Sequence, residues 1–558
     1  MMNKRKQAGE VLTRTLAAVL LVLAASALAL AERQERTVDA WRPTHYEVEL
    51  TLNDQLTEIT KAETDVTILV MKGPLRTIDL DFGQMTVDSV RLGNRPVHFE
   101  QGNGKLNVQL PEAMVTGNIL TISVGYHGRP ADGLILASDK AGKPSATGDN
   151  WPDRVHHWIP CLDHPSAKAT VTFTVTAPAR DLVVANGRWT ATRNDDGKLT
   201  RTWSYAETRP IPAYCMVITV GEYAELQPVA RTVTPLNYYV PQTDRPAAVQ
   251  GFAAASPSLE FFSETIAPYP YEKLALIVGA TRFGGMENSS AIVFSGGLFN
   301  TRPDEPPLYA RAKLRRGLVE VTAHEIAHQW FGDSVSIKTW SDLWLSEGFA
   351  TYFAGLFVER YEGKEAFRDF MQRAAERYLT YEHGRRAPIY DAETENLMKL
   401  LNANNYQKGA WVLHMLRGLM GDDAFFKGIR AYYLAHEHRV ASTEDLRAAM
   451  EKASGMNLKE FFASWVYGTG HPRYEASWNW DRARGGMLTV KLRQTQEDAP
   501  FLTPLSVEIV TEKGTRRVTL KPTGRETTHS FPVQTRPTEI RIDPDETVLK
   551  ELTVRQAG

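Results

Sequence analysis

The chain has 558 residues, of which 43% are hydrophobic and 23% are charged, a composition typical of an ordinary globular protein. Its formal net charge of -2 excludes the strongly basic balance that would attract nucleic acid or an anionic membrane surface. A chain of this length predicts three or four domains, at roughly 150 residues per domain.

The first 31 residues have the pattern of a secretory signal peptide. Lys4, Arg5 and Lys6 precede the apolar run LAAVLLVLAASALALA, which ends in an A-x-A triplet. The alternative is a membrane anchor, but the run is shorter than the roughly 20 residues needed to cross a bilayer. We therefore expect an exported protein, periplasmic or secreted, that is cleaved before Glu32 and has no stable membrane insertion afterwards.

Residues 32–235 have a strand-like pattern. Segments such as HYEVELTL, TDVTILV and ATVTFTVTA alternate apolar and polar residues or are rich in valine, isoleucine and threonine, and turn sequences such as GNG and NDDG separate segments of this kind. The pattern predicts an N-terminal antiparallel β domain. Cys161 and Cys215 both fall in this region and either pair or remain two buried thiols; the spacing favours neither alternative.

Residues 236–472 show helical periodicity over long stretches. In RAKLRRGLVEVTAHEIAHQWF, the residues Leu314, Leu318 and Val321 recur at three- and four-residue spacing. From residue 473 to 558 the alternation returns, in segments such as MLTVKLRQ and LSVEIVTE. We predict a multidomain α+β protein, with a mainly helical middle domain and a second, smaller β domain.

The helical region contains the sequence HEIAH, which begins at His324. Histidines at positions i and i+4 lie on one face of a helix, so His324 and His328 can bind one metal ion with Glu325 beside it. A catalytic zinc needs a third protein ligand, and Glu347 follows His328 after 18 intervening residues. We predict His324, His328 and Glu347 as the ligands of one Zn²⁺ per chain. Taken separately, the motif also fits a helix that happens to contain two histidines, and Glu347 a first-turn glutamate favoured by the helix dipole.

The sequences GGMEN at residues 284–288, HEIAHQWFGD and LWLSEGFATYF together resemble the zinc aminopeptidases of the aminopeptidase N and leukotriene hydrolase group. The segments WIPCLDHPSAKATV and YQKGAWVLHML extend the resemblance, which covers roughly residues 150 to 420. The resemblance implies a thermolysin-like catalytic domain between the N-terminal β domain and a small C-terminal β-sandwich. Larger members of the group add a long helical domain at the end, whereas this chain ends at Gly558, so we expect a relatively open site.

The resemblance also implies roles for individual residues. The glycine-rich segment is an edge strand of the active site in this group, and its glutamate, here Glu287, binds the free α-amino group of the substrate. A carboxylate suits a cation near the metal, and glycines let the peptide backbone approach closely. Glu325 then acts as general base and acid, and Tyr406 of YQKG donates a hydrogen bond to the oxyanion. The alternative for Tyr406 is a ring packed in a helical core.

The other substrate-binding predictions follow the same resemblance and accompany Glu287 along the strand: Phe283, Gly284, Gly285, Met286 and Asn288. Phe283 matches a position that lines the pocket for the first side chain, although a core phenylalanine fits equally well.

The chain departs from the group at three places. Upstream of the P-C-x-D segment, where the group often has a glutamine that helps to hold the amine, this chain has Asp149 and Trp151. Asp149 either contacts the amine or caps its own turn. Asp333 and Ser346 each stand where the group usually has asparagine.

These features predict an exported zinc aminopeptidase that acts on peptides with a free N-terminus and has no nucleic acid partner. The alternatives are an endopeptidase or an epoxide hydrolase on the same scaffold, or a catalytically silent peptide-binding homologue. GGMEN argues against internal cleavage, and the β-patterned C-terminal region argues against the lipid epoxide. The intact ligand set argues against a silent homologue.

Overall fold

The computed structural model describes residues 33–228, 232–299 and 312–556, so the predicted signal peptide lies outside the described residues. Among the helices in these ranges, none combines the length and the apolar character required to span a lipid bilayer.

The N-terminal domain is built on an eight-stranded sheet within the described residues. Alternate side chains of its strands are buried, as Tyr46, Val48 and Leu50 illustrate, so one face packs on the domain core. In spatial order the strands are Arg188–Asp195, Thr200–Ile211, Ala169–Pro178, Trp41–Leu52, Ile59–Val70, Ile119–Gly128, Thr86–Leu92 and Arg95–Pro96. A four-stranded sheet contains Leu182–Ala185, Ile218–Gly221, Pro144–Gly148 and Leu134–Ser138, and a three-stranded sheet contains Leu75–Asp81, Lys105–Met114 and Phe99–Gly102.

The large sheet is mixed rather than wholly antiparallel as predicted. Trp41–Leu52 pairs in parallel with Ala169–Pro178, while the other neighbouring strands of the sheet are antiparallel. Alternation in a sequence shows which side chains share a face, but not which distant strand is the neighbour. Cys161 and Cys215 are both free and buried, so the alternative of two separate thiols is the one that the structure contains.

The catalytic domain begins with a five-stranded sheet. Its spatial order is Tyr223–Leu226, Leu236–Pro241, Leu274–Gly279, Ala291–Ser295 and Gly285–Met286. The first of these strands falls inside the predicted N-terminal domain, which was to end at residue 235, but it pairs with the catalytic sheet. The strand Gly285–Met286, hereafter the edge strand, is the last strand on one side of this sheet.

Helices form the rest of this domain. Three of them carry the site: the HExxH helix Ala312–His328, the Glu347 helix Trp344–Glu362 and the Arg377 helix Lys364–Gly384. The Glu347 helix is buried all round from Trp344 to Val358, because apolar or small residues occupy every face of it. The other helices are Arg245–Gly251, Ala255–Thr265, Gly409–Met420, Asp422–His436, Thr443–Ser454 and Lys459–Trp465, and Ser336–Ile337 pairs with Val440–Ala441.

The C-terminal domain consists of two β-sheets, as predicted. One contains Glu526–Pro532, Met487–Gln494, Arg473–Asp481 and Glu551–Gln556, and the other contains Gly514–Leu520, Leu505–Thr511 and Glu539–Ile542. Its buried side chains, among them Leu488, Val490 and Leu505, belong to the same continuous core as those of the catalytic domain. The predicted fold class, a multidomain α+β protein with β-rich ends and a helical middle, is confirmed.

Candidate metal centre and active site

The three predicted metal ligands converge on one point. The Nε2 atoms of His324 and His328 are 3.0 Å apart, because residues four apart lie on one face of the HExxH helix. The first turn of the Glu347 helix brings Glu347 Oε2 to 3.3 Å from each of these nitrogens. His328 and Glu347 are buried, whereas the His324 side chain is 17% exposed.

The donor set and its spacing fit a tetrahedral metal ion. Two atoms that bind one zinc at about 2.1 Å stand about 3.4 Å apart, close to the separations of these three atoms. Glu347 Oε2 is buried and accepts no hydrogen bond from the described residues. Burial lowers the pKa of His324, whereas the Glu287 and Glu347 carboxylates overcome burial and raise the pKa of His328 to about 10. A second set of carboxylate and imidazole atoms, from Glu287, Glu325 and His328, lies within the same small volume.

Contacts behind His328 fix the orientation of its ring. Its Nδ1 lies 3.1 Å from the carbonyl oxygen of Phe331 and 3.0 Å from Ser346 Oγ. A proton on Nδ1 donated to that carbonyl leaves the Nε2 lone pair directed at the centre. Gly332 has φ +123°, and a Cβ there would lie 2.5 Å from Ser346 Oγ. The glycine that ends the motif HQWFG is therefore required for the position of Ser346.

The edge strand lies directly against the side chain of Glu325, the predicted general base. A Cβ built on Gly285 would stand 2.4 Å from the Glu325 carboxyl carbon, so only a glycine allows this approach. Gly285 and Met286 pair antiparallel with Phe294 and Val293, and no other described strand pairs with the outer edge, the side on which an extended peptide can add to a sheet. The predicted edge-strand position of GGMEN is confirmed.

Glu287 follows the edge strand and forms no ion pair with a lysine or arginine among the described residues. Its side chain is buried, and Oε1 has no hydrogen-bond partner in the described residues. Burial raises the pKa of Glu287 to about 7, with the Glu347 carboxylate acting in the same direction against His328. Burial likewise raises the pKa of Glu325 well above its ordinary value. Both carboxyl groups are costly to keep charged without a cation.

Tyr406 lies beside the ligands on a short π-helical turn, Asn404–Lys408. Its ring stacks on His324 with 5.9 Å between centroids and 10° between planes. The turn comes this close because Gly409 meets Gly348 of the Glu347 helix, where a Cβ on Gly348 would lie 2.9 Å from Gly409 Cα. Burial and the Glu347 carboxylate raise the pKa of Tyr406, so its phenol stays protonated and able to donate.

These groups line one cavity of about 420 Å³. Phe283, Gly284, Gly285, Met286 and Glu287 form one wall, as predicted. Trp151 also lines it and packs edge-on against Phe283, with 6.1 Å between centroids. Further wall residues come from the three helices, from the π-helical turn and from the segment just before that turn; they are Gly317, Glu320, Val321, Thr351, Ala354, Phe370, Arg377, Leu401 and Gln407.

Two predicted substrate contacts are not brought to this cavity. Asp149 is buried, with Oδ2 accepting from Arg154 at 2.9 Å and Oδ1 from Thr281 at 3.0 Å. Asn288 is buried behind the edge strand, where its Nδ2 donates to Met286 O at 3.4 Å. Neither side chain is among the lining residues in the described part of the chain.

The sequence did not reveal the role of Lys168, which closes the P-C-x-D-x-P-x-x-K segment. Its Nζ, on a half-buried side chain, donates to the carbonyl oxygens of Asp333 at 2.7 Å and Ser334 at 2.6 Å, in the turn after the HExxH helix. The Asp333 carboxylate accepts from Gln329 Nε2 at 2.9 Å. The N-terminal domain thus supports the turn on which the helix ends, and the aspartate that replaces asparagine keeps a hydrogen-bonding role.

Two histidines and a glutamate on adjacent buried helices, with a second glutamate in the motif HExxH, define a mononuclear metal hydrolase site of the thermolysin type. The match to family models identifies which family this is. Residues 42–215 match the peptidase M1 N-terminal domain, and residues 251–465 match the peptidase family M1 domain. The chain belongs to peptidase family M1.

Individual relatives agree with this assignment. The chain is similar to a leucyl aminopeptidase of Saccharolobus solfataricus, with 25% identity over 452 residues, 79% of this chain and 55% of that protein. It is 26% identical over 414 residues to the tricorn protease-interacting factor F2 of Thermoplasma acidophilum, which covers 72% of this chain and 50% of that protein. Glutamyl aminopeptidase of Homo sapiens is 28% identical to the chain over 332 residues, which covers 58% of this chain and 34% of that protein. The chain thus spans about half the length, or less, of these curated relatives.

Proposed function

We propose that the protein is an exported, zinc-dependent aminopeptidase that removes N-terminal residues from peptides. The observation that carries this proposal is Glu287, a buried carboxylate beside the predicted metal ligands whose Oε1 has no hydrogen-bond partner among the described residues. An ammonium group is the cation that such a site lacks, and the α-amine of a peptide supplies it. The names of the relatives, which are aminopeptidases, support the same reaction.

The position of Glu287 favours cleavage at a chain end. A peptide that pairs with the outer edge of the Gly285–Met286 strand would have its first residue beside Glu287 and its first peptide bond beside the metal ligands. The glycines of the strand allow the two backbones to approach closely. A peptide cleaved internally has an amide in place of the ammonium, and the buried carboxylate would then remain without a partner.

Glu325 is the residue that moves the proton. A zinc ion held by His324, His328 and Glu347 would polarise the scissile carbonyl and lower the pKa of a water toward ~7. Glu325 accepts the proton of the attacking water and donates it to the leaving amine. Its raised pKa suits the second of these steps, because a carboxyl group with a high proton affinity keeps the proton until the amine takes it.

Tyr406 supplies the hydrogen-bond donor for the oxyanion. Its phenol is protonated, half-buried and stacked on the His324 ring, so it needs little reorganisation as charge develops on the carbonyl oxygen. The contact between Gly348 and Gly409 holds the backbone of Tyr406 at a fixed distance from the Glu347 helix.

The decisive experiment compares free and N-acetylated aminoacyl-peptide substrates. We expect the zinc-loaded wild type to prefer the free amine by about 100-fold or more, the scale of leaving a buried charge unpaired. Glu287→Gln should reduce this preference by at least about tenfold, mainly through loss of activity on the free amine. Glu260→Gln, a substitution of an exposed glutamate on the helix Ala255–Thr265, is the matched control and should keep the preference.

Equal losses on both substrates in Glu287→Gln, in protein that folds and holds zinc, would reject the anchoring role. A wild type that cleaves acetylated peptides at internal bonds would favour the endopeptidase instead. Export has a separate test: the mature protein from a secreting host should begin at Glu32, and retention of the first 31 residues in the finished protein would contradict it.

A further inference from the structure

Arg377 lies on a different wall of the cavity from Glu287. It belongs to the Arg377 helix, one face of which also directs Phe370 into the cavity, two turns earlier. The side chain of Arg377 is exposed to the cavity mouth and makes no hydrogen bond or ion pair within the described residues. An arginine that lines a substrate cavity without a carboxylate partner is available to bind an anion.

Glu320, an acidic wall residue one turn before His324, is already paired with another arginine. The ion pair joins this residue of the HExxH helix to Arg373 of the Arg377 helix. Arg373 thus compensates Glu320, and the positive charge of Arg377 remains uncompensated on this wall. The cavity therefore has an acidic end at Glu287 and a basic end at Arg377.

A second donor lies on the same wall. Gln407 lines the cavity next to Tyr406, and its side-chain amide makes no hydrogen bond within the part of the chain that the structure describes. The π-helical turn that carries it packs against the Arg377 helix. Between these polar groups the wall is apolar, with Phe370, Leu401 and Ala354. Guanidinium and amide donors above an apolar surface are a suitable environment for a carboxylate at the end of a short peptide.

We infer that Arg377, assisted by Gln407, binds a carboxylate of the substrate on the leaving-group side of the scissile bond. This inference rests on the proposed function, because Glu287 must hold the amino end for the other end to point toward Arg377. A cavity of about 420 Å³ is within the range that encloses a small ligand, so the substrate class is short peptides. The carboxylate is either the C-terminus of the peptide or an acidic side chain near it.

The test compares peptide acids with the corresponding peptide amides. Alanine di-, tri- and tetrapeptides are prepared with a free C-terminus and as C-terminal amides, and kcat/KM is measured for each. We expect the wild type to prefer the acid at one length by about tenfold or more, the scale of a charge-assisted hydrogen bond. The length at which the preference is largest shows how far the carboxylate binds from the scissile bond.

Variants of Arg377 assign the preference to this residue. Arg377→Gln should remove the acid-over-amide ratio, Arg377→Lys should restore part of it, and Arg377→Glu should invert it. Arg368→Gln is the matched control, because Arg368 is exposed on the same helix, outside the cavity lining, and has no ion pair in the described residues. It should keep the wild-type ratio.

A second set of substrates distinguishes the two sources of the carboxylate. Amidated tripeptides carry aspartate or asparagine at the second or third position. A preference for the peptide acid over the amide, without a preference for aspartate over asparagine, identifies the C-terminal carboxylate. A preference for aspartate over asparagine, without a preference for the acid over the amide, identifies an acidic side chain. Equal kcat/KM in both comparisons, or a preference that Arg377→Gln leaves unchanged, would overturn the subsite.

Equilibrium binding keeps this test separate from the proposed reaction. The tripeptide acid and amide are titrated calorimetrically into Glu325→Gln protein and into the same protein carrying Arg377→Gln. We expect the acid to bind at least about tenfold more tightly than the amide in the first protein only. That result would support the subsite even if the wild type hydrolysed no peptide, which would reject the proposed function instead. Equal binding of acid and amide in the first protein would reject the subsite.

Discussion

Asp149 in the N-terminal domain and Glu287 beside the edge strand are both buried carboxylates, yet their surroundings are opposite. Asp149 has Arg154 at 2.9 Å, Thr281 at 3.0 Å and Arg282 at 3.9 Å. Glu287 has an oxygen that accepts no hydrogen bond from the described residues. Asp149 has its hydrogen-bond partners within the protein, whereas the free oxygen of Glu287 would gain a partner only when a ligand binds. A buried charge that lacks a protein partner is therefore the better marker of substrate binding.

Of the substitutions considered, Glu325→Gln should have the largest effect on turnover. It tests whether the carboxyl groups without a protein partner are the ones that act on the substrate. Glu325 makes no hydrogen bond or ion pair within the described residues, so its removal should leave the fold intact and abolish proton transfer. We expect turnover to fall ~10²- to 10⁴-fold. Zinc content, measured by atomic absorption, should stay at one per chain because His324, His328 and Glu347 remain. Turnover within a factor of three of wild type would exclude Glu325 as the base.

Tyr406→Phe tests a donor rather than a charge. We expect kcat to fall by the equivalent of about 2.7–4 kcal/mol with little change in KM, since this hydrogen bond strengthens as the oxyanion forms. Tyr378→Phe is the matched control: the Tyr378 hydroxyl is buried, has no hydrogen-bond partner in the described residues and does not line the cavity. A normal kcat for Tyr406→Phe would assign the oxyanion to another donor.

Asp149→Asn tests the carboxylate that already has protein partners, and it should change stability rather than substrate preference. Loss of this charge weakens the bond from Arg154, which keeps Asp132 at 3.2 Å as its other partner. We expect the free energy of unfolding to fall by about 1.5–3 kcal/mol, the scale of one hydrogen bond to a charged group. Urea denaturation measures this change, and the free-over-acetylated ratio should stay at the wild-type value. A smaller ratio at unchanged stability would show that Asp149 contacts the substrate amine after all.

Ser346→Ala should have the smallest effect. Its hydroxyl lies 3.0 Å from His328 Nδ1, but that nitrogen keeps the Phe331 carbonyl when the hydroxyl is removed. We expect zinc affinity to fall about tenfold, at the lower end of the effects of such supporting contacts. Competition with a chelator measures it, and Ser346→Asn restores a polar group at the same position. An unchanged affinity for Ser346→Ala would leave the Phe331 carbonyl as the effective partner.

The parts of the site that the sequence predicted are those encoded by local spacing. Four-residue spacing in a helix puts His324 and His328 on one face, and that relation holds in any fold that keeps the helix. The apolar-periodic segment that begins near Glu347 likewise shows that the glutamate lies in the first turn of a helix. The resemblance supplied the edge strand and Tyr406, whose positions depend on the contacts of Gly285 with Glu325 and of Gly409 with Gly348.

The parts that the sequence did not predict depend on contacts between distant segments. The parallel pairing of Trp41–Leu52 with Ala169–Pro178 joins strands that lie far apart in the chain, and alternation gives no information about such partners. Asp149 has the same sequence context whether or not an arginine lies beside it. Arg377 has the periodicity of an ordinary exposed helix position, and only the packing of that helix beside the cavity distinguishes it from Arg368.

The contact of Lys168 with the turn after the HExxH helix makes the end of that helix depend on both the N-terminal and the catalytic domain. The amine belongs to the N-terminal domain, while the two carbonyl groups that it binds, those of Asp333 and Ser334, belong to the catalytic domain. The catalytic segment made alone would lack the Lys168 donor at the end of the helix that carries both histidines, although Ser336 Oγ would still donate to the Asp333 carbonyl at 2.8 Å. The N-terminal domain thus supplies one of the hydrogen-bond donors that hold the end of the metal-binding helix in the catalytic domain.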